Sequence, residues 1–167
     1  MNRLIIILIG VLATTSVFAQ GPPIFTETPI LLGLDGGGMR TFGRFIVKEN
    51  ATVYVQPLAI PYNLGSKTQI GIAGRFININ PNNFESVSGF GDLTFFLKQQ
   101  LYQKDGKGKT FRIIAKLDQV FPTGKTSSMP SIGSDSWQSL LSLVTGYVTL
   151  KYGIYGQVGY NITSNGL

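Results

Sequence analysis

The 167-residue chain contains no cysteine and no histidine. Without cysteine there can be no disulfide, no thiolate ligand and no acylated lipoprotein anchor. Without histidine, imidazole base catalysis and histidine-ligated metal sites are excluded. Charge is also sparse: 14 Lys and Arg face 8 Asp and Glu, and charged residues make up 13% of the chain. The carboxylates are dispersed, so paired acid–base chemistry has little to build on. The basic residues are scattered too. Their densest run, Lys104–Lys109 in "KDGKGK", reads as a solvated turn and not as a nucleic-acid face. No cofactor and no nucleic-acid partner are expected. After residue 20, no apolar run approaches the roughly 20 residues of a spanning helix.

What is present begins with an export signal. Arg3 supplies a positive start, Leu4–Ala13 an apolar stretch, and Val17-Phe18-Ala19 small residues before a cleavage point at Ala19/Gln20. An exported chain of this size without disulfides points to a bacterial envelope protein. The expected organisation is a signal peptide (1–19), a flexible N-terminal segment (20–39) and a β domain (40–167).

Alternation of apolar and polar residues dominates that β domain. Ile70, Ile72 and Phe76 oppose Gln69 and Arg75. Leu93, Phe95, Leu97 and Leu101 oppose Asp92, Lys98 and Gln100. Phe111, Ile113, Ala115, Leu117 and Phe121 oppose Arg112, Lys116 and Asp118. Ile154, Val158, Tyr160 and Ile162 oppose Lys151, Gln157 and Asn161. Arg40–Val47 is a possible seventh strand. Thr52–Tyr62 carries Pro57 and Pro61 and is expected to be irregular or an edge strand. Ser136–Leu150 begins in a way that would suit a helix, but Thr145-Gly-Tyr-Val-Thr149 favours a strand.

Strands of about 10–12 residues exceed the usual length in soluble sheets and match a tilted bilayer crossing. Short connections (Asn63–Ser66, and near Thr149–Lys151) are expected to alternate with long ones (Asn78–Phe90 and Pro122–Asp135). Outer-membrane barrels connect their strands in this way. Tyr62, Phe76, Phe90, Tyr102, Phe111, Phe121, Trp137 and Tyr152 fall near strand ends, where interfacial girdles lie. The fold class expected is all-β, an antiparallel transmembrane β-barrel of outer-membrane type, incomplete in this chain. A soluble β-sandwich would show the same alternation, with the aromatics at its core edges.

In a barrel the polar set Gln69, Arg75, Asp92, Lys98, Arg112, Lys116, Asp118, Lys151 and Gln157 would line the lumen. It could serve a solute path, or form a salt-bridged plug. Asp118 lies two residues from Lys116 on one strand face and is expected to pair with it.

Two motifs suggest chemistry and fail. Asp35-Gly-Gly-Gly-Met-Arg40 resembles the oxyanion turn of patatin-like lipases, but no serine after residue 20 has glycine two places before and after it. The glycines read as a flexible turn before the first strand. Gly124-Lys125-Thr126 resembles the end of a phosphate-binding loop, but Gln119 stands where the first glycine is required.

Three further motifs carry a resemblance. They are Gly89-Phe90-Gly91-Asp92-Leu93, Phe121-Pro122-Thr123-Gly124 and Ile132-Gly133-Ser134-Asp135. In this order, between about Val53 and Asn161, the chain resembles the outer-membrane transporter family linked to the MetA pathway of phenol degradation. The resemblance implies an outer-membrane barrel involved in uptake of hydrophobic or aromatic compounds, without catalytic residues. It implies turn and strand-boundary roles for Asp92 and Gly124. The six or seven strands counted, and the polar end "NITSNGL", suggest that closing strands are missing. The partners expected are outer-membrane lipid and a small-molecule solute; the sequence leaves oligomeric state open. The alternatives are a non-transporting structural barrel of the envelope and a secreted soluble β-sandwich that binds ligands.

Overall fold

The structure, a computed structural model, describes residues 27–165. The expected signal peptide lies outside them. The elements are β1 (Arg40–Thr41), β2 (Arg44–Lys48), β3 (Ala51–Asn63), β4 (Thr68–Pro81), β5 (Val87–Phe90), β6 (Leu93–Gly106), β7 (Lys109–Phe121), β8 (Ser136–Thr149) and β9 (Gly153–Asn165). They form one antiparallel sheet in the order β1-β3-β4-β6-β7-β8-β9, with β2 also on β3 and β5 also on β4. β1 and β2 share one register against β3, so they are a single strand interrupted at Phe42-Gly43. β5 and β6 are likewise one strand, offset by one residue at Gly91-Asp92. Counted this way, seven strands follow one another as a meander. Among the described residues the sheet is open, with β1–β2 at one edge and β9 at the other.

The prolines of β3 explain the first interruption. The Pro57 carbonyl accepts from Thr41 Oγ1 at 2.9 Å, and the Pro61 carbonyl from Gly38 N at 3.2 Å. A residue's N–H and C=O point to the same side of a strand, so both missing donors face the β1–β2 edge. There the ladder breaks opposite Pro57. The β3–β4 ladder runs unbroken from Ala51↔Pro81 to Asn63↔Gln69. The expectation of an irregular or edge strand is therefore corrected: β3 is regular and paired on both sides. Ser136–Thr149 is strand throughout, in line with its β-branched second half.

Turns 64–67, 107–108 and 150–152 cluster at one end of the sheet; turns 49–50, 82–86 and 122–135 cluster at the other. The connection expected over Asn78–Phe90 is mostly strand, because β4 continues to Pro81 and β5 starts at Val87. Alternation persists there with inverted polarity. Ile77, Ile79 and Val87 take the face that carries Gln69 and Arg75, while Asn78, Asn80 and Ser88 take the other.

Over the middle of the sheet the faces are reversed relative to a soluble protein. On the outer face Ile72, Leu93, Leu117, Leu141, Val158 and Ile162 are exposed, Leu141 at 60% and Val158 at 69%. On the inner face Gln69, Lys98, Gln100, Lys116, Asp118 and Ser142 are buried, together with Phe96, Ile114 and Val144. A sandwich would cover the apolar face with a second sheet, and the described residues form one sheet only. Outer-face aromatics pair at both ends: Phe76–Phe90 and Phe121–Trp137 at one, Tyr102–Phe111 and Tyr147–Tyr152 at the other. β7 carries both belts, at Phe111 and Phe121. Ten residue steps at about 3.3 Å, tilted by about 40°, span about 25 Å, the height of an apolar membrane band.

Candidate functional site: the strapped inner face

The inner face is covered by the chain's own residues 27–36. The segment expected to be flexible is, from Glu27 onward, laid across the sheet as a strap. Glu27 N donates to Gln157 Oε1 on β9 at 3.1 Å. Buried Pro29 sits on Gly146 of β8, where a Cβ would lie 2.6 Å from the proline ring. Asn63 on β3 donates its amide to the carbonyls of Leu32 and Gly33. The strap thus links β9, at one edge of the sheet, to β3, next to the other edge.

The Asp35–Gly38 turn joins strap to first strand. Asp35 adopts a positive φ of 52°. Gly36 N donates to Gly33 O, Gly38 N to Pro61 O, and Gly36 O accepts from Asn63 N. These N–H groups are spent on the chain's own fold, which accounts for the glycines without an oxyanion hole.

The strap's charge meets the polar row of the sheet. Asn63, Gln69, Lys98, Lys116, Ser142 and Gly159 form one lateral row, each the direct cross-strand partner of the next. Glu27 places one carboxylate oxygen 2.7 Å from Lys98 Nζ and the other 2.9 Å from Lys116 Nζ. Lys116 Nζ also lies 3.0 Å from Asp118 Oδ1, the pair expected from sequence. The lysine side chains are only 6% and 11% exposed. Both ammonium groups stand 5.9 Å from the Phe96 ring, which lies over Gly71; a Cβ there would come within 2.3 Å of the ring. Gln69 donates to Asn63 Oδ1 at 2.7 Å. The Ser142 hydroxyl is buried and has no hydrogen-bond partner among the described residues.

The other residues expected to line a lumen are placed differently. Arg75 is exposed on the inner face towards the long-loop end. Half-buried Arg112 donates to Thr110 Oγ1 at 3.2 Å near the short-turn end. Lys151 lies in the β8–β9 turn, off the inner face. Asp92 forms a second centre. Its carboxylate accepts from Gly124 N at 2.9 Å and Ser134 N at 2.8 Å, and Leu93 N donates to Thr123 Oγ1 at 2.9 Å. Gly124 and Gly133 touch backbone to backbone: a Cβ on Gly124 would lie 2.7 Å from Gly133 Cα. The three motifs that are far apart in sequence thus converge on one knot, which ties the long loop 122–135 over β5. Burial opposes ionisation of Asp92. The Ser134 hydroxyl, the Gly124 and Ser134 N–H groups and the Arg75 charge outweigh it, so the carboxyl lies below its usual range.

A family model described as "Putative MetA-pathway of phenol degradation" matches residues 46–166. The chain belongs to this family. The match covers most of the sheet and all three motifs of the Asp92 knot, together with Lys98, Lys116 and Ser142; Glu27 precedes it. No curated protein and no solved structure matches the chain. Among the described residues no group of three or more acidic, His or Cys side chains could hold a metal.

Sequence reasoning missed Glu27 and Ser142. Glu27 had a signal: it is the lone acidic residue between positions 20 and 34, in a Pro-rich apolar stretch. Ser142 had none, because its significance is one of register with Lys116.

Proposed function

We propose that the chain forms a membrane-spanning β-barrel of the bacterial outer membrane and passes small solutes along its inner face, without catalysis. The observation that carries this reading is the reversed polarity of the sheet between two aromatic belts. An exposed apolar band about 25 Å high is costly in water and satisfied in lipid. Two polar pairs on the outer face satisfy one another, as a lipid setting favours: Ser139 Oγ donates to Gln119 Oε1 at 2.6 Å, and Thr68 Oγ1 to Gln99 Oε1 at 2.7 Å. Membership of a family linked to phenol degradation is consistent with a solute of small, apolar or aromatic character. The Arg75 and Arg112 side chains, in no ion pair within 4 Å among the described residues, bias the path towards anions.

The strap favours a second reading, a plugged barrel with a structural role, because Glu27 neutralises the lysines where the interior is fullest. Fractionation of the native bacterium separates membrane from soluble readings. Recovery in outer-membrane vesicles with a heat-dependent shift on a semi-native gel is expected; a soluble periplasmic product would sink the barrel. Conductance in planar bilayers then separates path from plug.

A further inference from the structure

We propose that Lys98, Lys116 and Ser142 form a binding site for small organic monocarboxylates, occupied by the chain's own Glu27 when no solute is bound. The inference rests on the inner face being a solute path and names the solute class for it. Two buried ammonium groups converge on one carboxylate, each on its own oxygen. Asp118 pairs with Lys116 alone, so Glu27 is the partner that neutralises Lys98 among the described residues. Taking Glu27 away leaves one net positive charge on Lys98, Lys116 and Asp118, which favours a replacement monoanion. A dianion would overcompensate.

Ser142 is the independent sign of a ligand. Its hydroxyl is buried without a partner among the described residues and stands in register beside Lys116. A buried polar group left unmade is costly. The tethered Glu27 does not reach it, whereas a free carboxylate can accept from both lysines and the serine. The strap can also leave without disturbing the sheet, since ladder pairing begins only at Gly37. A tethered occupant acts as a competitor with an effective concentration on the order of millimolar.

The test uses the full chain in detergent. It has no native cysteine, so Ile30→Cys, at an exposed strap position, gives a single nitroxide site. The label is expected to be immobile, and to be mobilised saturably by acetate or benzoate in the millimolar range. Benzamide, and sodium chloride at equal ionic strength, should have no such effect. Adding Glu27→Gln should mobilise the label without ligand. Ser142→Ala should raise the half-saturating acetate concentration roughly two- to tenfold. Equal mobilisation by chloride, stronger mobilisation by sulfate or phosphate, or a label unmoved by carboxylate would each overturn the proposal, and the labelled parent alone suffices for these outcomes. Planar-bilayer conductance is read separately. A carboxylate response without conductance would leave the site standing and remove the solute path; conductance without the response would do the reverse.

Discussion

Asp92 shows how much one side chain organises here. Its two oxygens each accept a charge-assisted hydrogen bond from a part-buried loop N–H. Asp92→Ala should therefore cost about 1–3 kcal/mol and free the loop 122–135 to proteolysis. Because the folded carboxyl is held below its ordinary range, its contribution is present above the unfolded pKa and is lost as pH falls through the folded value. Limited proteolysis of the loop should be flat from pH 7 to 5 and rise only below about 4; Asp92→Asn should remove that dependence. A loop that loosens near neutral pH would contradict this assignment. Gly124→Ala should be comparably damaging, since its Cβ meets backbone that cannot swing aside. The Asp92 family motif was readable in sequence as a boundary signal. That it bonds both of the other motifs was not, because they lie about 30 and 40 residues away in sequence.

At the scale of the strand, polarity alternation states which residues share a face but not which face meets water. β7 supplies the test, with Ile113, Ala115 and Leu117 on one side and Ile114, Lys116 and Asp118 on the other. Leu117→Arg, near the middle of the band, should destabilise the protein by about 2–4 kcal/mol in lipid vesicles, read by urea unfolding. A soluble sheet with the same exposed leucine should be nearly indifferent. Trp137, the only tryptophan, stacks edge-on against Phe121 at 5.0 Å and is half-exposed on the outer face. Its fluorescence should be quenched more by lipids brominated near the headgroup than at the chain ends. Equal quenching by a water-soluble quencher with and without lipid would place the belt in water. The strap obeys a different logic. Its tie to the sheet depends on a missing side chain, and Gly146→Val should expel Pro29 and raise protease access to residues 27–36.

For the whole molecule, the net charge of the inner face differs from a simple count of its basic residues. Lys98 and Lys116 are neutralised by Glu27 and Asp118, so on the proposed path selectivity would fall to Arg75 and Arg112 near the two ends. Replacing both by Glu should turn a preference for anions into one for cations in planar bilayers, measured as a reversal potential in a salt gradient. An unchanged potential would take both residues off the path.

The all-β class, the strand positions outside Asn78–Phe90, the aromatics near strand ends, the Lys116–Asp118 pair and the family were legible in the sequence. Each depends on spacing within one strand or on short contiguous motifs, and local periodicity carries such information. The tertiary structure alone decided the lateral row from Asn63 to Gly159, the knot at Asp92, the placement of Pro57 and Pro61 towards a weak edge, and the strap's place over the lysines. Those features depend on register between strands and on a segment without alternation of its own. A single residue of slip would send every side chain to the other face, and only the paired sheet fixes that choice.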